Sequence, residues 1–289
     1  MSAHDAGIYA LDTVTQHYAW GSRTALAELA GRPSPSALPE AELWVGAHPQ
    51  GPSRVRGSSA ETLAERIDRD ATFALGDAVR ERFGARLPLL LKVLAAERPL
   101  SLQTHPTVAQ AIAGFAREEA LGIARDAPER TYRDANHKPE LLCALTPFDA
   151  LCGFRDVDEL LREVQPALGS SLYRAHLGPV RSRHEGGLAW QLKHMLETPR
   201  AKVAEIAAEL LAGAERLVRE RGPHAPLGEW LLRVHESYGP DPGLLVVPLM
   251  NLVRLAPGDA VYLPAGNLHA YLRGTGVEVM ASSDNVLRG

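Results

Sequence analysis

The most informative segment of the chain is Pro257-Gly258-Asp259-Ala260-Val261-Tyr262-Leu263-Pro264-Ala265-Gly266-Asn267-Leu268-His269. A glycine turn leads into a short apolar strand, a Pro-x-Gly turn reverses the chain, and His269 follows three residues later at the start of another strand. Such a hairpin can hold an imidazole in a rigid position, turned inward at the mouth of a barrel. The segment therefore predicts a β fold with a histidine at its opening.

Short strands bounded by turn residues occur on both sides of this hairpin. Glycine and proline contribute 25 and 21 of the 289 residues, above the average for soluble proteins, which indicates many turns. The strands after residue 243 follow one another closely, a spacing typical of a β-sandwich, jelly roll or barrel. The predicted strands are residues 10–14, 18–21, 43–46, 88–94, 244–247, 249–255, 260–263, 269–272 and 277–281.

The middle of the chain has a helical pattern instead. In residues 197–221 the apolar side chains fall on one face at a period near 3.6, and the charged ones fall on the other. Residues 157–164 continue the pattern after Asp156, a candidate N-cap. Two helices are also predicted earlier in the chain, at residues 59–68 with Ser59 as N-cap and at residues 77–83.

These patterns predict a mainly β fold with α elements, in which a β-sandwich, jelly roll or barrel carries a helical insertion. We place the β domain at residues 1–154 and 237–289, and the helical insert at residues 155–236. The insert is expected to pack against the β domain or to act as a lid, and to carry no chemistry.

Composition excludes several classes of protein. The formal net charge of −4 gives no basic surface for nucleic acid, and no run of about 18 apolar residues could cross a membrane. The first residues lack the basic-then-apolar order of a signal peptide, so we expect a cytoplasmic protein. Two cysteines are too few for a disulfide scaffold. We also expect a monomer.

Four side chains at strand ends could hold a metal ion together. Strand alternation places Gln103 and His105 on one face, and Glu140 begins an apolar strand after Pro139. With His269 they form a nitrogen and oxygen ligand set suited to Zn²⁺, with a position left for water or substrate. Taken singly, Gln103 is equally compatible with a surface amide, and Glu140 with a solvated charge at a strand end.

The ordered motifs of the chain resemble those of the type I mannose-6-phosphate isomerase (phosphomannose isomerase) family, and the Pro-Ala-Gly hairpin resembles the second motif of the cupin superfamily. The resemblance spans the chain, the helical insert included, and implies a cupin-type jelly-roll barrel for the β domain. The motifs are Tyr18-Ala19-Trp20-Gly21, Ala41-Glu42-Leu43-Trp44-Val45-Gly46-Ala47-His48-Pro49, Leu91-Lys92-Val93-Leu94, Leu100-Ser101-Leu102-Gln103-Thr104-His105-Pro106, His137-Lys138-Pro139-Glu140, Leu263-Pro264-Ala265-Gly266-Asn267-Leu268-His269-Ala270-Tyr271 and Glu278-Val279-Met280-Ala281-Ser282-Ser283-Asp284-Asn285-Val286-Leu287-Arg288-Gly289.

The resemblance implies a zinc enzyme that interconverts mannose 6-phosphate and fructose 6-phosphate, with one Zn²⁺ per chain. It implies Gln103, His105, Glu140 and His269 as the zinc ligands and puts Arg288 in the active site. Lys92, Ser101, Lys138, Glu278 and Asp284 match positions that line the substrate pocket, and the family motifs add Trp20 and Glu42 at its border. We interpret His48, which precedes Pro49, as a turn residue.

The implied reaction moves a proton between C2 and C1 of an opened sugar through a cis-enediol. A divalent ion would stabilise the enediolate, and a general base must reach the carbon-bound proton. His137, Lys138, Glu278 and Asp284 are the candidate bases, and the sequence does not choose among them. Arg288 suits the oxyanion or the phosphate, while Lys92 and Ser101 are candidate phosphate contacts.

Two other functions stay open at this point. A metal-containing cupin could bind a sugar phosphate without turning it over. An iron-dependent cupin dioxygenase is a third possibility, although Gln103-Thr104-His105 lacks the first histidine of the usual His-x-His pair. Members of the resembled family continue for about a hundred residues past the Arg-Gly at 288–289, so we expect their C-terminal cupin-like domain to be absent from this sequence.

Overall fold

A computed structural model describes residues 9–57, 61–181 and 187–289. The architecture is mixed α/β, with one large antiparallel sheet and a group of helices inserted between its strands in the sequence. The strands are β1 (Leu11–Asp12), β2 (Val14–Gln16), β3 (Glu42–Val45), β4 (Arg54–Val55), β5 (Leu89–Ala96), β6 (Gln103–Thr104), β7 (Glu140–Ala144), β8 (Phe148–Phe154), β9 (Met250–Leu255), β10 (Ala260–Leu263), β11 (His269–Ala281) and β12 (Leu287–Arg288).

Most helices follow β8. A π-helical turn at Leu160–Val164 continues α6, and a 3₁₀ turn at Val247–Leu249 joins α13 to β9. Within the described ranges, every helix is too short or too polar to cross a membrane. The helices are α1 (Ala25–Leu29), α2 (Leu63–Arg69), α3 (Ala71–Leu75), α4 (Asp77–Phe83), α5 (Val108–Ala120), α6 (Val157–Glu159), α7 (Gln165–Leu168), α8 (Ser171–His176), α9 (Gly178–Arg181), α10 (Gly187–Leu196), α11 (Arg200–Glu220), α12 (Ala225–Tyr238) and α13 (Pro242–Val246).

The long strand β11 organises the ten-stranded sheet. Its first half pairs with β6 and β8, and its second half pairs with β5 and β7, so two ladders share one strand. The predicted break at residues 273–276 is wrong, because β11 continues through Gly274 and Gly276 with only a register shift nearby. Gly274 has φ +137°, and a Cβ there would lie 2.6 Å from the Phe148 ring. The pairings among the described strands do not close into a ring.

Three other local predictions are corrected by the structure, and the first is the strand expected at 18–21, where residues 19–20 form a turn and Gly21 makes only an isolated bridge to Ala96. The expected strand at 244–247 is α13, because Asp241 caps the segment by accepting a hydrogen bond from the Gly243 N–H and Pro242 starts a helical turn. A short, fully buried apolar run does not by itself distinguish a strand from a helix. The helix expected at 59–68 begins at Leu63 with Thr62 as its cap, and Ser59 lies outside the described residues.

The helical group shares a hydrophobic core with the sheet. Helix α11 buries one face, as predicted, and that face joins a cluster that also contains Leu151 of β8 and Leu272 of β11. The part of the sheet where His269 begins β11 thus packs against the helical group. The buried residues of α11 are Val203, Ile206, Ala207, Leu210, Gly213, Ala214 and Leu217.

Among the described glycines of the helical group, Gly213 has the nearest neighbour to its Cβ position. An ideal Cβ at this position would lie 2.0 Å from the carbonyl oxygen of Leu168, at the end of α7. We expect Gly213→Ala to lower the free energy of unfolding by about 1–3 kcal/mol, because a backbone atom cannot move aside cheaply. Urea denaturation of the variant measures the change.

Gly222→Ala is the matched control, since nothing lies within 4 Å of its Cβ position. Its unfolding free energy should stay within about 0.5 kcal/mol of the unmodified protein. A Gly213→Ala variant as stable as that control would contradict the close packing of α11 on α7.

Candidate metal centre and active site

A cavity of about 660 Å³ opens where β3, β5, β6, β7 and β11 meet. The residues at its wall come from segments far apart in the sequence, including the loop 128–133 before β7 and the last residue of α12, Tyr238. Ten of the residues expected at the site line this cavity: Trp20, Glu42, Lys92, Ser101, Gln103, Lys138, Glu140, Glu278, Asp284 and Arg288.

Strand pairing brings the candidate ligands to one place. His269, the first residue of β11, lies opposite Gln103 of β6, and Glu140, the first residue of β7, lies opposite Met280 of β11. His105 follows β6 directly. All four side chains therefore start from strand ends or from the residue beside one, which limits their freedom to move.

Three of the four form a compact buried cluster. The ligand atoms of His105, Glu140 and His269 all lie within 4.8 Å of one another. His105 Nε2 is 3.2 Å from Glu140 Oε1, and His269 Nε2 is 3.3 Å from Glu140 Oε2. Gln103 is 9% exposed and lines the same cavity as Glu140.

The hydrogen bond made by Nδ1 of each imidazole fixes the tautomer of that ring. His105 Nδ1 donates to the carbonyl oxygen of Asn285 at 2.8 Å, and His269 Nδ1 donates to that of Asn267 at 3.1 Å. Because a carbonyl oxygen only accepts, both Nε2 atoms present lone pairs toward Glu140.

This donor set fits a divalent cation. His105 Nε2, His269 Nε2 and Glu140 Oε2 are buried and have no hydrogen-bond partner among the described residues. Three electron-pair donors that face one another in a buried site repel unless a cation lies between them. Two imidazole nitrogens and a carboxylate oxygen are ligands that Zn²⁺ accepts.

The electrostatics of the cluster keep its ligands in their metal-binding forms. Burial would raise the pKa of Glu140, but the Lys138 charge and the neighbouring His105 and His269 side chains hold this pKa well below its usual range. Burial lowers the pKa of His105, and the charge of Lys138 lowers it further. The carboxylate is thus ionised and the imidazole neutral at pH 7.

Residues 8–157 match the family model described as phosphomannose isomerase type I, catalytic domain. The chain is 44% identical over 285 residues to mannose-6-phosphate isomerase of Escherichia coli (strain K12), covering 94% of this chain and 68% of that protein. The human enzyme of the same name is 35% identical over 302 residues, covering 97% and 69%. The chain belongs to the type I phosphomannose isomerase family.

A solved structure of this family agrees with the fold. Mannose 6-phosphate isomerase from Salmonella typhimurium, bound to its substrate fructose 6-phosphate and zinc, aligns with a TM-score of 0.83 at 41% sequence identity. The alignment covers 96% of this chain and 69% of that one. A second structure of mannose 6-phosphate isomerase, described as holo and zinc bound, aligns with the same TM-score at 40% identity.

Lys92 occupies a different setting from the one expected in a phosphomannose isomerase phosphate site. Its ammonium lies 3.3 Å from Glu42 and 3.4 Å from Glu278, and the side chain is 9% exposed. Burial opposes the charge, but Glu278 and Glu42 outweigh it and raise the pKa of Lys92. Because two carboxylates already neutralise it, Lys92 is a poor phosphate contact.

Arg288 and Ser101 lie together at the edge of the cavity. Arg288 Nη1 donates to Ser101 Oγ at 2.9 Å, and the arginine is otherwise exposed. Strand β12 sets this position by pairing Arg288 with Gln103 of β6. A guanidinium beside a hydroxyl near the metal ligands can receive an anionic group of a substrate.

Among the expected site residues, His137 belongs neither to the cavity wall nor to the cluster of His105, Glu140 and His269. It is exposed and does not belong to the cavity wall, whereas Lys138 and Glu140 do. The extended backbone before β7 turns alternate side chains to opposite sides, so the inward direction of Glu140 leaves His137 outside. We do not retain it as a candidate base.

Several site residues were missed or misinterpreted from the sequence. His48 is 4% exposed and contacts Asp284, so it is more than a turn residue. Asn285 is fully buried, and its side chain binds the backbone of Arg133, Asp134 and Asn136 while its carbonyl holds His105. Neither role leaves a mark in local spacing, because each partner is distant in the sequence.

Proposed function

We propose that this protein is a zinc-dependent aldose–ketose isomerase that interconverts D-mannose 6-phosphate and D-fructose 6-phosphate through a cis-enediol. The observation that carries the proposal is the buried cluster of His105, Glu140 and His269, beside a cavity large enough for a sugar phosphate, in a chain of this family. The relative crystallised with fructose 6-phosphate and zinc supports the choice of ligand and metal.

One Zn²⁺ per chain would be held by Gln103, His105, Glu140 and His269. When bound, it would act as a Lewis acid that polarises the C1 and C2 oxygens of the open-chain sugar. The chain supplies the rest of the centre: Asn285 and Asn267 orient the two imidazoles, and Lys138, with Nζ 3.3 Å from Glu140 Oε1, keeps that carboxylate ionised.

Arg288 and Ser101 would bind the phosphate or the developing oxyanion. Their contact places a positive charge and a hydroxyl side by side at the cavity edge, where a dianion can be received by a protein of negative net charge. Trp20 and Glu42 would contact the sugar from another part of the cavity wall. Lys92 would organise Glu42 and Glu278 instead of touching the phosphate.

Asp284 is the best candidate for proton transfer among the three that remain at the cavity. Glu278 is 3% exposed, accepts a hydrogen bond from Tyr271 Oη at 2.9 Å and is ion-paired with Lys92. Lys138 is paired with Glu140. The Asp284 side chain is 37% exposed and lines the cavity, so it can approach a carbon-bound proton.

We further propose the jelly-roll assignment for the sheet, with residues 1–154 and 237–289 as one domain and residues 155–236 as its helical insert. The shared strand β11 and the position of α6 to α11 between β8 and β9 support it, while α12 and α13 continue the helical segment to Val246. A monomeric state and a cytoplasmic location complete the proposal. Light scattering on purified protein tests the first, and cell fractionation tests the second.

The test of the function is a coupled isomerase assay on three samples of the same preparation. The untreated protein should convert mannose 6-phosphate to fructose 6-phosphate, the chelated protein should not, and added zinc should restore the rate. Zinc and fructose 6-phosphate binding without turnover would instead identify a non-catalytic sugar-phosphate-binding protein and contradict the isomerase assignment.

A further inference from the structure

His48 lies just after β3, on the side of Asp284 that faces away from the cavity. Its ring is 4% exposed and packs edge-on against Trp44, with 4.8 Å between ring centroids and 76° between planes. It borders a second cavity of about 310 Å³, whereas Asp284 borders both cavities. Asp284 therefore separates His48 from the substrate, and His48 can act only through it.

The contacts of His48 show which of its ring nitrogens carries the hydrogen. The backbone N–H of Gln50 donates to His48 Nδ1 at 3.3 Å, so Nδ1 is the acceptor nitrogen of the ring. Nε2 then carries the hydrogen and lies 3.2 Å from Asp284 Oδ1. The backbone N–H of Gln50 and the Trp44 ring hold the imidazole of His48. The Nε2–H of this imidazole is directed at the Asp284 carboxylate.

The backbone of Asp284 is fixed from another direction. Its N–H donates to Asp134 Oδ2 at 3.0 Å, and Ser283 Oγ donates to the same carboxylate. The next residue, Asn285, ties this turn to His105 through its carbonyl. With the main chain held this way, the contact with His48 sets the direction of the Asp284 carboxylate.

We propose that His48 is a positioning residue that holds the Asp284 carboxylate in the orientation needed for proton transfer at the sugar carbon. This inference rests on the proposed isomerase function and assigns a role to a residue that does not itself contact the substrate. An aspartate with one oxygen occupied by a fixed N–H keeps the other oxygen available on the cavity side.

The charges around Asp284 agree with this role. The hydrogen bond to His48 lowers the pKa of Asp284, burial opposes the shift, and the charges of Lys138 and Arg133 add to the lowering. Tyr18 lines the same cavity and interacts electrostatically with Asp284, and Asp134 contacts the Asp284 backbone. A lowered pKa keeps Asp284 deprotonated, and so active as a base, to lower pH.

Two substitutions at His48 distinguish a role in orienting the Asp284 carboxylate from a role in packing alone. His48→Leu fills the space but removes the N–H, whereas His48→Gln keeps a donor at the distance of Nε2. We expect His48→Leu to lower kcat about 10- to 100-fold with KM for mannose 6-phosphate changed by less than about threefold. The acid limb of its kcat/KM profile should move to higher pH, because the pKa of Asp284 rises when the donor is lost.

His48→Gln should recover kcat to within about threefold of the unmodified enzyme, and both variants should keep one zinc per chain. Asp284→Asn gives the reference for complete loss of the carboxylate. An active unmodified enzyme whose His48→Leu variant keeps the original kcat and acid limb would overturn the inference, as would equal losses in the leucine and glutamine variants. If the unmodified protein has no isomerase activity, the proposed function itself has failed.

Discussion

His269→Ala should lose bound zinc and isomerase activity together, with kcat/KM reduced by about 10³-fold or more. His269 is fully buried, and its Nε2 faces Glu140 with no other partner among the described residues. Removing it takes away one of two imidazole ligands, and the Lewis-acid stabilisation of several kcal/mol that depends on the bound ion goes with it. Metal analysis by plasma mass spectrometry and the coupled assay measure the two losses on one sample.

His224→Ala is the control for this variant, because His224 begins α12 away from the cavity. It should keep both zinc and turnover. Circular dichroism should show the same secondary structure in both variants, since the ligand lies at the end of a sheet held by many other pairings. A folded His269→Ala protein with full zinc content and full activity would contradict the proposed metal centre.

Lys92→Met should lower the free energy of unfolding at pH 7.5 by about 3–5 kcal/mol. The substitution leaves the carboxylates of Glu42 and Glu278 buried without their shared cation, and breaking a buried ion pair from one side carries a cost of this size. Methionine fills a similar volume, so little of the loss comes from packing. Urea denaturation at a fixed zinc concentration measures this change in the free energy of unfolding.

The destabilisation by Lys92→Met should decrease as the pH falls. Burial and the nearby charge of Glu140 already raise the pKa of Glu278, against the opposing effect of Lys92. A carboxylate whose folded-state pKa is raised destabilises the fold above its unfolded pKa and ceases to do so once it is protonated. Loss of Lys92 raises the pKa of Glu278 further. The difference in unfolding free energy between the variant and the unmodified protein should therefore shrink from pH 7.5 toward pH 5.

Two controls define this result. Lys202→Met removes a lysine from an exposed pair with Glu205 and should change stability by less than about 1 kcal/mol. Adding Glu278→Gln to Lys92→Met should recover part of the loss, since one buried charge is removed. If Lys92→Met is no less stable than Lys202→Met, the three charges do not form the buried network described.

The metal centre was largely predictable because its signals are local. Alternation puts Gln103 and His105 on one side of a strand, Pro139 keeps the chain extended before Glu140, and the Pro-Ala-Gly turn positions His269. The structure confirms that His105, Glu140 and His269 converge. Strand boundaries set by proline and glycine, such as those of β10, were predictable for the same reason.

Other features depend on contacts that local patterns do not encode. Gly274 and Gly276 look like a turn, yet β11 runs through them because β5 and β7 pair along its whole second half. The position of Lys92 between two carboxylates requires β3, β5 and β11 to lie side by side. The partner of His48 lies at the far end of the chain, so only the folded protein shows that its ring reaches Asp284.

The most direct test of the account is a crystal structure of the zinc-loaded protein with anomalous data collected on both sides of the zinc edge. We expect one anomalous peak per chain, about 2.0–2.2 Å from Nε2 of His105 and His269 and from an oxygen of Glu140, with the Gln103 amide oxygen completing the site. An anomalous peak at any other position would contradict the proposed metal centre. The absence of a peak in a protein that shows full isomerase activity would contradict it as well.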